Sequence, residues 1–214
     1  MDICIVVPTY KRVHRIKETA DQLKDFNNVI FVCHKDDQPS IDAVLELKDV
    51  TLVIDLQEPS GVNATNAGYK AAWTDLVAIG QDDFTWHEGW LDKAVEKYNE
   101  GYKVVGFNDC WPGHPEIGHA VGWLVERDYV NQVGLTADTK GVIFYPGYKK
   151  NYSDGELNQY NKFKGVFTIA FDSKVEHLHH TMGKSQNDET YNRLEVFRTE
   201  DEILFEQRKQ LYWS

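Results

Sequence analysis

The sequence predicts an α/β fold, a mostly parallel sheet flanked by helices. Three observations carry this. Short apolar runs without a 3.6-residue period, such as Leu76-Val77-Ala78-Ile79, read as strands buried on both faces. These runs alternate with segments whose apolar residues recur at helical spacing. Each run also ends in polar residues, where a parallel sheet collects its ligands.

Ile3 to Val7 is the first strand. The polar Pro8-Thr9-Tyr10-Lys11-Arg12 then feeds a helix on which Val13, Ile16, Ala20 and Leu23 share a face. Val29 to Cys33 is the second strand and ends in His34-Lys35-Asp36-Asp37. Thr51 to Ile54 is the third, followed by Glu58-Pro59-Ser60-Gly61 and a helix from Val62 to Trp73. Leu76 to Ile79 is the fourth, and Gly80-Gln81-Asp82-Asp83 stands at its carboxyl end. An amphipathic helix runs from about His87 to Glu100, and Val104 to Phe107 is a further strand. Beyond Asn108 loops dominate. Gly118 to Val125 reads as a strand entering a short helix near Arg127 to Val133, and Val142 to Tyr145 as a short strand. Ser153-Asp154-Gly155-Glu156 reads as a helix start with a capping oxygen and first-turn acids. Phe167 to Phe171 and Val175 to His179 close the sheet, and a charged helix covers Thr199 to Leu211.

Composition removes several classes of function. A net charge of −11 without a basic stripe disfavours a generic DNA-binding surface, although Lys149, Lys150, Lys162 and Lys164 cluster. Three cysteines, an odd count without metal-ligand spacing, predict free thiols in a reducing compartment. No signal peptide precedes the first strand, and no apolar run approaches the roughly 18 residues of a membrane span. A soluble, cytoplasmic protein without a membrane anchor is expected. Neither the Gly-x-Gly-x-x-Gly dinucleotide fingerprint nor the P-loop pattern is present.

Asp82 and Asp83 are adjacent carboxylates that repel each other, so they favour a cation shared with a polyphosphate. Mg²⁺ or Mn²⁺ suits this, being held by one or two carboxylates while phosphate and water complete the shell. A second group of metal-ligating residues, His177, His179 and His180, follows the last strand. Residues two apart on a strand share a face, so His177 and His179 project together as imidazole donors.

In order and spacing, four motifs resemble the family-2-like GT-A glycosyltransferases, which take sugar from a nucleotide-diphosphate donor. They are Val7-Pro8-Thr9-Tyr10-Lys11-Arg12, the Gly61…Asn66-Ala67-Gly68 helix, Gln81-Asp82-Asp83, and Tyr152-Ser153-Asp154-Gly155-Glu156. The resemblance covers nearly the whole chain. It implies one GT-A-like domain over 1–214, with a nucleotide-binding half over 1–107 and an acceptor-side half over 108–214. It implies that Pro8, Thr9, Tyr10 and Arg12 line the nucleotide pocket, with Tyr10 packed on the base or ribose. Asp36-Asp37 would place a carboxylate against the base, where a uracil N3–H donates, and Asn66 would hold the ribose and diphosphate edge. Gln81-Asp82-Asp83 stands at the family's Asp-x-Asp motif with glutamine for the first acid, so the metal falls mainly to Asp83. A late histidine, His179 ahead of His177, would complete the metal shell. His119 would touch the donor phosphate or the acceptor ring.

The implied reaction is a direct, inverting sugar transfer in which a carboxylate deprotonates the acceptor hydroxyl while the metal stabilises the leaving diphosphate. Asp154 and Glu156 compete as the base, with Asp154 better placed by the motif. A UDP-sugar is the favoured donor. The acceptor is a glycan, a protein, a small molecule or, as a minority reading, a hydroxylated base in DNA. The alternatives are a sugar-phosphate nucleotidyltransferase, a metallohydrolase, and a non-catalytic domain that binds a nucleotide or glycan.

Overall fold

A computed structural model of the chain describes residues 2–189, 192 and 195–213. Four strands, β1 (Ile3–Thr9), β2 (Val29–His34), β3 (Val50–Asp55) and β4 (Leu76–Ile79), are separated by α1 (Val13–Gln22), α2 (Gln38–Leu45) and α3 (Gly61–Ala71). Next come β5 (Phe84–Trp86), α4 (Trp90–Asn99), β6 (Val104–Asn108), α5 (His114–Ile117) and β7 (Trp123–Glu126). They are followed by α6 (Arg127–Gln132), α7 (Ser153–Phe163), β8 (Phe167–His177) and α8 (Arg198–Lys209). The strands form one sheet in the order β3-β2-β1-β4-β7-β6-β8-β5. Pairing is parallel from β3 through β2 and β1 to β4, and between β6 and β8. It is antiparallel where β7 joins β4 and β6, and where β5 joins β8.

Alternation along each strand divides the core between the two faces, as pleating requires. Ile5, Val7, Phe31 and Cys33 face α1 and α4 through Ile16, Leu23, Trp90 and Leu91. Cys4, Val6, Ile30 and Val32 face the other layer, where α3, α7 and α8 contribute Val62, Tyr69, Leu157 and Phe205. Both faces are dry, which is why these strands read as unbroken apolar runs. Helix α3 lies so close that a Cβ on Gly68 would sit 2.3 Å from Val6 Cγ1 and 2.7 Å from Val32 Cγ2. The three cysteines are free. Burial pushes the Cys33 thiol up to about 12, so it packs as a small hydrophobe.

The structure corrects several sequence-based expectations. The apolar run Val142 to Tyr145 is not a strand but a buried loop. Its backbone is held by Asn66, whose Oδ1 accepts from Ile143 N and Phe144 N at 3.0 Å each and whose Nδ2 donates to Phe144 O at 2.9 Å. The two strands expected at Phe167 to Phe171 and Val175 to His179 are one strand, β8, that stops at His177. Its pairing with β6 shifts register between Phe107 and Asn108, and Asn108 Nδ2 donates to Phe171 O at 2.8 Å across the irregularity. Helix α7 has no side-chain cap: Tyr152 takes the N-cap position at φ 64°, and Ser153 and Asp154 lie inside the first turn. Helix α2 and the short β5 and α5 are additions. No helix among the described residues is long and apolar enough to cross a membrane.

Candidate active site

A cavity of about 640 Å³ opens at the carboxyl ends of β1, β3 and β4, a size that suits a small-molecule ligand. Pro8, Thr9, Tyr10, Arg12, Gln81, Asp82, Asp83, His119, Asp154, His177 and His179 all line it. Strand β4 delivers the carboxylates: its ladder ends at Ile79, and Gly80 turns the chain so tightly over Trp86 that a Cβ there would lie 2.3 Å from the indole. Asp82 and Asp83 follow, 4% and 3% exposed. The cation they share is Arg12, just before α1. Its Nη1 donates to Asp82 Oδ1 and to Asp83 Oδ2, both at 2.9 Å, and its Nε donates to Asp188 Oδ2 at 2.9 Å. Thr9 Oγ1 donates to Asp82 Oδ2 at 2.8 Å. Burial pushes the Asp82 carboxyl up, Arg12 pulls it down, and the like charge on Asp83 pushes it up again.

Strand pairing brings a histidine to the acids. In the β5–β8 ladder Phe84 stands opposite His177, and Leu178 N donates to Asp83 O at 2.8 Å. His177 Nε2 thereby lies 3.6 Å from Asp83 Oδ1. His177 Nδ1 is buried without a hydrogen-bond partner among the described residues. The His179 ring is 5.2 Å from that of His177, and its Nδ1 is 2.8 Å from Thr181 Oγ1. Burial and the neighbouring imidazoles His177 and His180 hold His179 down at about 4, so it is neutral at physiological pH. No group of three or more His, Cys, Asp or Glu among the described residues is preassembled around a metal position. Asp83 and His177 nonetheless offer a carboxylate oxygen and an imidazole nitrogen face to face, donors that fit Mn²⁺ or Mg²⁺ with phosphate and water supplying the rest.

Asp154 comes from the first turn of α7, with Oδ1 accepting from its neighbour Gly155 N at 2.8 Å. His119 Nε2 is 3.4 Å from Asp154 Oδ2. Burial alone would raise the Asp154 carboxyl, but facing His119 keeps it below its ordinary value of 3.8. His119 therefore belongs to the Asp154 side of the cavity rather than to the Asp82-Asp83 group. Gln81 Nε2 donates to Val121 O at 2.9 Å, tying the turn after β4 to the segment before β7.

Four sequence-derived candidates do other work. Asp36 is exposed and lies outside the cavity lining. Asp37 caps α2, accepting from Ser40 N, and also receives Lys11 N. Asn66 holds the 143–144 loop. Glu156 is fully buried against Arg208, whose Nε and Nη2 donate to its two oxygens at 2.7 and 2.9 Å. An acid that the sequence reading did not single out also lines the cavity, Asp55, at the end of β3. It lines the cavity at 2% exposure; Oδ1 accepts from Gln57 N at 3.1 Å, and Oδ2 has no partner among the described residues. Beside it, His34 Nε2 donates to Gln57 O at 2.7 Å, and the Tyr10 ring meets the His34 ring edge-on at 5.9 Å. The strand-end rule that singled out Asp82 and Asp83 applies equally to Asp55, one residue beyond the apolar run that ends at Ile54.

The sequence profile described as Glycosyl transferase family 2 matches residues 4–191. No curated protein matches the chain. Among solved structures, the mannosyltransferase PcManGT from Pyrobaculum calidifontis, in complex with GDP-Man and Mn²⁺, superposes with a TM-score of 0.64 at 16% identity. That match covers 83% of this chain and 57% of the archaeal one, so this chain spans little more than half its length. Glucosyl-3-phosphoglycerate synthase from Mycobacterium tuberculosis, with Mn²⁺, UDP-glucose and phosphoglyceric acid, gives 0.66 at 13% identity over 97% of this chain and 79% of that one. The same synthase with Mg²⁺ and UDP gives 0.59 at 15% identity, covering 83% and 72%. At such identities the likeness is one of fold.

Proposed function

The chain belongs to glycosyl transferase family 2, and on that premise we propose that it moves a sugar from a nucleotide-diphosphate donor, a UDP-sugar, to an acceptor hydroxyl by single displacement with inversion. The observation that carries this reading is one cavity holding Asp83 and His177 face to face together with a separately supported carboxylate, Asp154. The donor's base lies against Tyr10, with its ring N–H donated to Asp55 Oδ2; the N3–H of uracil suits that lone acceptor. Asp83 and His177 would hold Mn²⁺ or Mg²⁺, with neutral His179 beside them. When bound, the ion supplies Lewis-acid neutralisation of the leaving diphosphate. Asp154 takes the acceptor's hydroxyl proton as the acceptor oxygen bonds to the anomeric carbon. The bond from that carbon to the diphosphate breaks, and the nucleoside diphosphate leaves with the electron pair. A carboxyl kept below its ordinary value is ionised at neutral pH and ready for that role. The mannosyltransferase and the phosphoglycerate glucosyltransferase, crystallised with nucleotide-sugars and Mn²⁺, lend support by fold. The acceptor is a glycan, a protein side chain or a small molecule.

Calorimetric titration with UDP, GDP, CDP and a UDP-sugar, each with Mn²⁺ and then with EDTA, tests the reading. UDP binding that disappears with EDTA is expected, and Asp83→Ala should abolish both that binding and transfer. Preference for GDP would reassign the base, and absence of metal-linked nucleotide binding would remove the enzyme reading.

A further inference from the structure

We propose that His119 is a positioning residue, holding Asp154 through Nε2–H in a tautomer dictated by Asn158; this rests on the reading of Asp154 as the base. The argument begins at a buried indole. Trp123 is 1% exposed, and its Nε1–H, which can only donate, points at Asn158 Oδ1 at 2.8 Å. That fixes which end of the Asn158 amide is oxygen. Its Nδ2 then donates to Ala120 O at 2.9 Å and faces His119 Nδ1 at 3.3 Å. An amide nitrogen cannot accept, so Nδ1 is the acceptor and the imidazole proton sits on Nε2, toward Asp154 Oδ2. A separation of 3.4 Å is long for that bond, as catalytic hydrogen bonds often are before substrate binds.

The consequence is an oriented carboxylate. Asp154 Oδ1 is held by Gly155 N and Oδ2 by His119, while the group still lines the cavity. Neutral or charged, His119 presents Nε2–H to Asp154 Oδ2, so it fixes the carboxylate's direction and does not take the reaction proton. Other charged and titratable groups also act on the imidazole. The His114 ring lies 4.5 Å away, with Nδ1 2.7 Å from Asp109 Oδ2; Asp109 draws a proton toward His119, and Lys162 on α7 repels one. Burial opposes charging of His119, Asp154 favours it, and Asn158 Nδ2 opposes a proton on Nδ1.

The test compares His119→Ala, His119→Gln and Asp154→Asn across pH, with donor affinity measured by calorimetry. His119→Ala should lower kcat about 10²-fold, the scale of a misplaced catalytic group, with donor Kd unchanged. Its kcat–pH profile should have an acid limb moved to higher pH, because the carboxylate loses the neighbour that keeps its proton affinity low. His119→Gln, which retains an N–H donor, should recover most of the rate and the original limb. Unchanged kcat in His119→Ala, an unmoved acid limb, or a loss in His119→Gln as deep as in His119→Ala would overturn the proposal. If His119→Ala fails to bind donor or to fold, His119→Gln decides alone: near-normal kcat supports the proposal and a hundredfold loss overturns it. Activity persisting in Asp154→Asn would instead overturn the base reading from which the proposal starts.

Discussion

Asp55 shows how one residue can be missed by sequence and found by burial. A carboxylate oxygen at 2% exposure without a partner among the described residues is costly unless something donates to it. Asp55→Ala should therefore weaken nucleotide binding by about 1.5–3 kcal/mol, roughly 10- to 100-fold in Kd, without altering the response of the bound state to metal. Calorimetry with UDP and Mn²⁺ reads this directly. The Asp154–His119 pair makes a second prediction, in pH. Asp154 lies below its ordinary 3.8 when folded, so its stabilisation is present above that value and lost as pH falls through the lowered one. His119 lies above its ordinary 6.5, so its contribution is complete below 6.5 and lost as pH rises through the folded value. The stability difference between wild type and His119→Ala, measured by urea unfolding, should peak between those limits and shrink on either side. Asp37, Asn66 and Glu156 show why the other assignments could not be made from sequence. The oxygen that caps a helix, holds a loop or pairs with a buried arginine is chemically the same as one that binds a ligand. Only the fold says which it meets.

At the scale of elements, what repeats locally was legible and what depends on distant partners was not. Strands β1, β2 and β4 announce themselves because both faces are buried, while β3, at the sheet edge, is only half-buried and is read from its apolar run. Helix α3 is capped by Ser60, whose Oγ accepts from Asn63 N at 3.0 Å. Strand β5, of three residues, is too short for a pattern and exists because β8 is there to pair with it. The 142–145 segment has a strand's composition, yet an asparagine side chain rather than a neighbouring strand satisfies its backbone. Two variants test element packing. Gly68→Ala must push α3 off β1 and β2, and a destabilisation of about 1–3 kcal/mol is expected in chemical denaturation. Asp201 on α8 receives the backbone N–H groups of Lys149, Lys150 and Asn151 at 2.9, 2.9 and 2.8 Å, and two of those residues line the cavity. Asp201→Ala should loosen that wall, raising the KM for acceptor more than for donor in steady-state assays.

Over the whole molecule, α8 is bound to the body by charge as well as by Phe205. Arg208, 4% exposed, spans Glu156 on α7 and Asp138, and its guanidinium lies 3.4 Å from the Tyr145 ring centre. Arg208→Ala would leave Glu156 buried without its partner, a change that costs about 3–5 kcal/mol and should appear as a lowered urea midpoint. The α/β class and the GT-A likeness were readable from order and spacing, because a parallel sheet gathers its chemistry at strand ends. The assembly of the cavity's far side was not, since α7, α8 and the 149–151 loop meet across long stretches of chain.

The guanidinium of Arg12 wedged between Asp82 and Asp83 has a thermodynamic consequence. On the proposed reading, the resting protein already holds an intramolecular competitor for a divalent ion, so apparent metal affinity would be the intrinsic affinity scaled by the fraction of molecules in which that side chain has swung away. A diphosphate gives the displaced cation somewhere to go and raises that fraction. Mn²⁺ alone should therefore bind weakly, Mn²⁺ with UDP much more tightly, and the nucleotide should gain from the metal by the same factor.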